Sequence, residues 1–321
     1  MTLPTKYDKR TLRLMFDGVN VSPILPYESL DGNRELVLKI AEGNGRISLS
    51  GVQPKYAMVI DGNHLRFTNA GERGRYILKP APISSFILDK QYCPENEYIT
   101  MHIASEVYHI QTAANCLCFF ENGAAAYLTR RFDMDTAGNK YQQEDFASVA
   151  SVSKTTHGED YKYTALSYEE CAPLLDKYCA SAMVEKLKFF RLVLFNYLCL
   201  NDDAHLKNFS LIAYRTNDYV LAPAYDLMNT SLHLATPQIF ALTKGLFKEG
   251  MSKSDTYSID RGVFLRFGIN MGLPELLIQK EIDNFSKEYP QVEKLISSSN
   301  LPVSMKEHYF KSFNYRRQTL I

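Results

Sequence analysis

Residues 201–212 read NDDAHLKNFSLI, so that two aspartates, a histidine, a lysine and an asparagine stand between two apolar patterns. The preceding stretch, ASAMVEKLKFFRLVLFNYLCLN at 180–201, repeats apolar residues at helical spacing. The following stretches, FSLIAY at 209–214 and YVLAPAYD at 219–226, predict two strands joined by the turn RTND. A loop this rich in charge, placed between a buried helix and a hairpin, indicates a chemical role.

Phosphoryl transfer would use these residue types, because it needs a carboxylate that orients the attacking hydroxyl and oxygen ligands that hold magnesium. Protein kinases supply an aspartate, an asparagine five residues later and a second aspartate beyond a short hairpin. Asp203, Asn208 and Asp226 follow this order and spacing. Each alone is a common turn residue, but the ordered set favours catalysis. His205 and Lys207 fit either exposed loop positions or contacts to phosphate.

A kinase also needs a lysine on an upstream strand and an acidic residue on the next helix to hold it. Lys79 lies in the strand pattern RYILKP, and Glu97 opens the helical pattern ENEYITMHIASEVY. The stretch SLSGVQPK, residues 48–55, is a candidate phosphate-covering loop. It has one glycine, so an ordinary β-turn is an equal alternative, although its backbone N–H groups could form an anion-binding nest.

The stretch YLTRRFDM at 127–134 would join two lobes and offer backbone groups to an adenine ring. Leu128 and Phe132 have the apolar character expected beside a purine, and they fit equally well as core residues of a strand. The residues alone leave both interpretations open.

The composition excludes several functional classes. The chain has 321 residues, 45% of them hydrophobic, which allows a large core and favours two lobes. Lys and Arg total 36, as do Asp and Glu, so no net charge favours binding to nucleic acid or to a membrane. The first residues are too polar for a signal peptide, and no apolar run is long enough to span a bilayer. Six cysteines without a CxxC pair predict neither a zinc site nor a disulfide framework, so we expect a cytoplasmic protein.

The order of the patterns predicts a strand-rich first part and a helical second part. Strand patterns with one helix fill about the first 130 residues, including a hairpin at the turn DGN, residues 61–63. From about residue 143 the spacing is helical, and Ser167 with Glu170 predicts a capping box. The stretch DMDTAGNKY at 133–141 has the composition of a linker. We therefore predict domains 1–132 and 133–321.

A resemblance to the HipA family of bacterial toxin kinases runs from residue 46 to about 230, carried by SLSGVQPK, YILKP, ENE, RRFD, QED, DDAHLKN and AYD. The SxS form of the loop and the short N-terminal part are most similar to the shorter HipT branch. The resemblance implies an α+β fold of the two-lobed protein-kinase-like (HipA-like) kind, with a β-rich N-lobe and a mainly helical C-lobe. It also implies ATP-dependent phosphorylation of serine or threonine.

The same resemblance implies roles for individual residues. Asp203 would be the catalytic aspartate, and Asn208 and Asp226 would hold Mg²⁺. Ser48 and Ser50 would be autophosphorylated, which adds charge and repels the loop from bound phosphate. The implied ATP-binding residues are Ser50, Gly51, Val52, Gln53, Pro54, Lys55, Lys79, Glu97, Arg130, Arg131, Phe132, His205, Leu206, Lys207, Asn208, Tyr225 and Asp226.

The family resemblance further implies a three-component toxin–antitoxin system with a HipS-like small antitoxin and a HipB-like DNA-binding protein. The phosphorylated target would be an aminoacyl-tRNA synthetase, with the tryptophanyl enzyme favoured by the HipT likeness, so that translation stalls. Two other functions stay open: a small-molecule or lipid kinase with the same ordered residues, and a non-catalytic binding module. Loss of ATP turnover on replacing Asp203 would separate a kinase from the module.

Overall fold

The structure is a computed structural model that describes residues 3–28, 53–84, 86–216 and 218–321. Internal contacts divide it into two compact units. Unit 1 comprises Met1–Ile99 and Ala113–Lys140, and unit 2 comprises Thr100–Thr112 and Tyr141–Ile321. The segment 100–112 thus belongs to unit 2 although two strands of unit 1 follow it in the chain.

Unit 1 contains an antiparallel sheet of five strands in the order β2-β1-β3-β5-β4. These strands are β1 Tyr56–Asp61, β2 His64–Phe67, β3 Tyr76–Lys79, β4 Asn115–Phe119 and β5 Ala125–Arg130. The predicted hairpin is confirmed, since Asp61 pairs with His64 across a tight turn in which Gly62 has a φ of 61°. Glycine adopts this left-handed conformation without a steric penalty, which favours the turn.

The helix Lys9–Phe16 is an element that the sequence patterns do not indicate. Asp8 caps its start by accepting hydrogen bonds from two backbone N–H groups of the first turn. Met15 and Phe16 are buried in the core of unit 1, where the Phe16 ring lies 5.5 Å from the ring of Tyr76. A helix of eight residues is only marginally stable by itself, so its cap and the burial of its C-terminal end help to stabilise it.

Unit 2 is mainly helical and has a three-stranded antiparallel sheet in the order β6-β7-β8. Its strands are β6 Gln142–Asp145, β7 Ser210–Arg215 and β8 Asp218–Leu221.

The described α-helices that follow β3 in the chain are Cys93–His102, Phe146–Val149, Lys154–His157, Tyr161–Thr164, Tyr168–Tyr178, Ala182–Cys199, Lys253–Tyr257, Arg261–Asn270, Glu275–Ser286, Pro290–Ser298 and Val303–Thr319. A π-helical turn, Ile103–Val107, continues the first of them.

The structure contains one strand that the sequence does not indicate and shortens another that it predicts. The sequence does not indicate β6, because QED has no apolar alternation, and the strand exists through its pairing with β7, in which Glu144 lies opposite Leu211. The stretch YVLAPAYD was expected to be strand as far as Asp226, but β8 ends at Leu221. Pro223 has no backbone N–H to donate to a ladder, so the strand cannot continue through it.

The helices on either side of residue 180 agree with the predictions. The capping box is confirmed, since the Ser167 hydroxyl accepts from the Glu170 N–H at 3.2 Å and the Glu170 carboxylate accepts from the Ser167 N–H at 2.8 Å. The long helix Ala182–Cys199 buries Phe189, Phe190 and Phe195 in the core of unit 2. The charged loop therefore begins at the end of a well-packed helix.

None of the described helices is both long and apolar enough to cross a bilayer.

All six cysteines are buried with free thiols. Burial raises the pKa of Cys93, Cys116 and Cys179 to about 12. Thiols of this kind stay protonated near neutral pH and are poor nucleophiles.

Gly268 permits close packing between two helices of unit 2. A Cβ atom at this position of the helix Arg261–Asn270 would lie 2.7 Å from Cγ1 of Ile278, in the helix Glu275–Ser286. Ile278 is fully buried, so it cannot move aside into solvent. We expect Gly268→Ala to lower the free energy of unfolding by about 1–3 kcal/mol, despite the better helix propensity of alanine. Urea unfolding measures this change.

The control for this prediction is the same substitution in an Ile278→Ala background. There Gly268→Ala should be less destabilising, because the clashing atoms of Ile278 have been removed. An equal loss of stability in both backgrounds would contradict the close approach of the two helices.

Candidate active site

Unit 1 places a lysine and a glutamate in a buried ion pair. Lys79 ends β3, Glu97 lies on the helix Cys93–His102, and Nζ of the lysine is 2.5 Å from Oε1 of the glutamate. The two side chains are only 3% and 1% exposed. Lys79 Nζ also lies 5.1 Å from the ring centroid of Tyr127, its partner across β3 and β5. Kinases use such a pair to fix the lysine that binds nucleotide phosphates.

The candidate phosphate-covering loop lies only partly within the described residues. Outside them fall Ser48, Ser50, Gly51 and Val52. Gln53 is described, and its Nε2 donates to the carbonyl of Pro80 at 3.1 Å. Pro54 is buried and Lys55 is half-buried. The C-terminal end of this stretch is therefore tied to the residue that follows Lys79.

Arg130 and Arg131, in the stretch predicted to join the two lobes, make side-chain hydrogen bonds within unit 1. The Arg130 guanidinium donates to both carboxylate oxygens of Asp17 at 2.7 and 2.9 Å. The Arg131 guanidinium binds Asp133 in the same two-pronged way, at 2.9 and 2.7 Å. The backbone N–H groups of both arginines also donate to carbonyls of unit 1. Leu128 is fully buried in the core of this unit, whereas Phe132, like the two arginines, is half-buried.

In unit 2 the charged loop is organised by Asn201, a residue whose role the sequence patterns do not indicate. Leu200 ends the long helix in a left-handed conformation with a φ of 52°, and Asn201 follows at 2% exposure. Asn201 Nδ2 donates to Asn196 Oδ1 at 2.9 Å and to the Asp226 carbonyl at 3.3 Å. Its Oδ1 accepts from the Asp203 N–H at 3.3 Å. One amide side chain therefore joins the helix, the loop and the chain around Asp226.

A local turn brings Asp203 and Asn208 into contact. Residues 206–208 form a 3₁₀ turn, and Asn208 Nδ2 donates to the Asp203 carbonyl at 2.6 Å. This bond ties the amide of Asn208 to the backbone of Asp203. The Asp203 side chain is 49% exposed, and its Oδ1 accepts a hydrogen bond from the Tyr163 hydroxyl at 2.7 Å.

Asp226 has a left-handed backbone, with a φ of 56°. A residue other than glycine held in this conformation is strained, and such residues cluster at functional sites. The preceding Tyr225 hydroxyl donates to the Lys207 carbonyl at 3.0 Å and pairs with the Ser210 hydroxyl at 2.6 Å. Together with the bond from Asn201 to the Asp226 carbonyl, these contacts hold the AYD segment beside the 201–208 loop.

His205 is a buried, neutral imidazole. It is 4% exposed, and neither ring nitrogen has a hydrogen-bond partner within the described part of the chain. Burial lowers the pKa of His205, and the nearby carboxylates of Asp203 and Asp226 oppose this shift only in part. Its Nε2 lies 3.8 Å from Asp203 Oδ1, too far for a hydrogen bond. The contact is therefore not an ion pair, although an unpartnered nitrogen can still meet a ligand.

The remaining loop residues have simpler surroundings. Leu206 is fully buried and packs in the core. Lys207 is exposed, and its Nζ lies 3.8 Å from Asp145 Oδ2. A surface ion pair of this kind contributes little to stability. Asp202 accepts a hydrogen bond from the Gln238 N–H at 2.9 Å, and burial raises the pKa of its carboxyl group. Asp202 therefore anchors the downstream chain, a role that the sequence does not indicate.

The side chains of Asn208 and Asp226 fit a magnesium ion by their chemistry. Mg²⁺ prefers carboxylate and amide oxygens, and these two residues supply one of each. The amide of Asn208 is oriented by its bond to Asp203, and Asp226 is held through its carbonyl by Asn201. One bond holds the Asn208 side chain and the other holds the backbone of Asp226, so both residues have supporting contacts of the kind found around metal ligands.

Comparisons with known proteins show relatives among kinases. Residues 47–292 match the HipA-like C-terminal domain family. A Haemophilus influenzae protein named "Putative kinase" is 26% identical over 330 residues, covering 97% of this chain and 91% of that protein. The serine/threonine-protein kinase toxin HipA of Shewanella oneidensis is 22% identical over 273 residues, covering 79% of this chain and 58% of that protein.

Two solved structures have a fold similar to that of this chain. HipA of Shewanella oneidensis, solved with HipB and its operator DNA, matches with a TM-score of 0.68 at 22% identity, over 89% of this chain and 70% of that one. The Helicobacter pylori proinflammatory kinase CtkA matches with a TM-score of 0.53 at 14% identity, over 84% of this chain and 88% of that one. The predicted α+β, kinase-like fold is confirmed. Because the family match covers most of its length, the chain belongs to the HipA-like C-terminal domain family.

Proposed function

We propose that this chain is an ATP-dependent and magnesium-dependent protein kinase that phosphorylates serine or threonine. The observation that carries the proposal is the hydrogen bond from Asn208 Nδ2 to the Asp203 carbonyl at 2.6 Å. It ties the Asn208 amide to the backbone of Asp203, whose carboxylate is half-exposed, and these are the two residue types that phosphoryl transfer uses at this spacing. The relatives named as kinases support the same activity.

In this proposal each residue has one task. The Asp203 carboxylate accepts the proton of the substrate hydroxyl, while that oxygen bonds to the γ-phosphorus and the bond to the bridging oxygen of ADP breaks. Lys79, fixed by Glu97, binds the nucleotide phosphates. Asn208 and Asp226 hold Mg²⁺, which when bound neutralises charge on the phosphates.

His205 fits the same proposal as a neutral hydrogen-bonding group. Its buried imidazole carries no charge near neutral pH because burial lowers its pKa. It could therefore hydrogen-bond a phosphate oxygen through a ring N–H without adding a positive charge to the loop.

We propose that Ser48 and Ser50 are autophosphorylated and that the chain is a toxin of the HipT branch. A HipS-like antitoxin and a HipB-like DNA-binding protein would be its partners, and an aminoacyl-tRNA synthetase, with the tryptophanyl enzyme favoured, its target. Support comes from the loop sequence SLSGVQPK and from the HipA relative, which is a toxin by name and was solved with HipB and operator DNA.

Label transfer from γ-labelled ATP tests the proposed activity. The purified chain with Mg²⁺, alone and with a cell lysate, should place label on protein, and peptide mapping should find it on Ser48 or Ser50. Chelating the metal, or replacing Asp226 with asparagine, should remove the label because a magnesium ligand is lost. Label in small molecules or lipids would point to a small-molecule or lipid kinase. No transfer under any of these conditions would contradict the proposal and favour a binding module.

A further inference from the structure

Tyr163 contacts the proposed catalytic aspartate from a distant part of the chain. It lies in the short helix Tyr161–Thr164, and its carbonyl accepts the Thr243 N–H at 2.9 Å, which anchors this segment. Its hydroxyl donates to Oδ1 of Asp203 at 2.7 Å, across 40 positions of sequence. The contact is therefore made by the fold of unit 2 and not by a local turn.

His205 supports the ring that makes this contact. The rings of Tyr163 and His205 meet edge to face, with centroids 5.0 Å apart and planes at 75°. Nε2 of His205 lies near the same Oδ1 of Asp203, but at 3.8 Å it does not form a hydrogen bond. Burial and the Asp203 charge raise the pKa of Tyr163, so its hydroxyl stays protonated and remains a donor.

The hydrogen bond from Tyr163 occupies Oδ1 of Asp203 and leaves Oδ2 available to a substrate. The Asp203 carbonyl accepts from Asn208 Nδ2 at 2.6 Å and from the His205 N–H at 2.8 Å, which fixes the backbone. Tyr163 binds Oδ1, and the described residues donate no hydrogen bond to Oδ2. The hydrogen bond from Tyr163 restricts rotation of the Asp203 carboxylate and so favours one direction for Oδ2. Such preorientation is a large part of enzymatic rate enhancement.

We infer that Tyr163 is a positioning residue for phosphoryl transfer, whose hydroxyl holds Oδ1 of Asp203 so that Oδ2 accepts the proton of the substrate hydroxyl. The inference rests on the proposed kinase function. In the opposite arrangement the tyrosine hydroxyl would occupy the place of the substrate hydroxyl on Asp203. The two arrangements predict opposite changes in rate when the hydroxyl is removed.

Tyr163→Phe is the test, because it keeps the ring against His205 and removes only the hydrogen bond. We expect kcat for label transfer from γ-labelled ATP to fall about tenfold to a hundredfold, with KM for ATP unchanged because no nucleotide ligand is altered. Tyr161→Phe, in the same helix, is the matched control and should keep the wild-type kcat. Melting temperatures of both variants should equal that of the wild type.

Each outcome decides a separate point. A fall in kcat alone, confined to Tyr163→Phe, supports the positioning role. A rate equal to or above that of the wild type overturns it and leaves the kinase proposal standing. A joint loss of kcat, ATP affinity and melting temperature also overturns it, since it would show a merely structural contact. A wild-type chain that transfers no label overturns both the inference and the proposed function.

Discussion

Lys79→Met is expected to lower the free energy of unfolding by about 3–5 kcal/mol and ATP turnover by about a hundredfold or more. The substitution leaves the Glu97 carboxylate, at 1% exposure, without its lysine. Removing one partner of a buried ion pair destabilises a protein by more than the intact pair stabilises it. It also removes the cation that would bind the nucleotide phosphates. Urea unfolding and label transfer from γ-labelled ATP measure the two effects.

A second variant separates stability from activity. Lys79→Met combined with Glu97→Met replaces both buried charges with apolar side chains of similar size, so stability should recover. Turnover should stay low, because the phosphate-binding cation is still absent. Recovered turnover in the double variant would contradict the role of Lys79, and wild-type stability in the single variant would contradict the buried pair.

The matched control is an exposed ion pair of the same chemistry. Lys154 and Glu159 form such a pair at 68% and 73% exposure. Because solvent screens an exposed pair, Lys154→Met should lower stability by less than about 1 kcal/mol. A similar loss of stability in Lys79→Met and Lys154→Met would show that burial does not explain how much the Lys79 ion pair contributes to stability.

Asp203→Asn is expected to lower kcat for label transfer by about 10²–10⁴-fold, the range typical of a lost proton acceptor. The asparagine keeps the shape of the side chain, and its oxygen can still accept from the Tyr163 hydroxyl, but the amide cannot take up the substrate proton. Affinity for ATP with Mg²⁺ should not fall, since Asp203 is not among the proposed ligands. Calorimetric titration measures the affinity, and the label assay measures kcat.

The neighbouring Asp202 supplies the control for this change. Its carboxylate accepts the Gln238 N–H at 2.9 Å, and the oxygen of an asparagine can accept the same bond. Asp202→Asn should therefore leave kcat near the wild-type value. Equal losses of kcat in the two variants would contradict a specific role for Asp203 and would indicate that the loop as a whole had been disturbed.

Much of the candidate site could be predicted from the sequence where local structure sets the spacing. Asp203 and Asn208 keep their relation through a single 3₁₀ turn, and Asp226 follows the β7-β8 hairpin at a short distance in sequence. Lys79 and Glu97 could be recognised because an ion pair between a strand and the next helix needs only their order. For these residues, the order and spacing in the sequence are enough to predict that they lie near one another.

The parts that the sequence could not indicate depend on contacts between distant segments. Tyr163 meets Asp203 across 40 positions, and nothing in YKYT distinguishes it from the neighbouring Tyr161. Asn201 reads as the end of an apolar helix, yet its amide joins that helix to Asp226, 25 positions away. Strand β6 likewise exists only through its pairing with β7. Their roles follow from tertiary packing, which single-sequence patterns do not contain.

The role of Asp203 is tested most directly by single-turnover transfer from γ-labelled ATP, with wild type and Asp203→Asn compared at equal occupancy by ATP and Mg²⁺. We predict that the wild type places label on serine or threonine of a protein, whereas Asp203→Asn binds the nucleotide and transfers at least about a hundredfold more slowly. Equal transfer by both proteins would contradict the assignment of Asp203, and with it the account of the 201–226 region as a phosphoryl-transfer site.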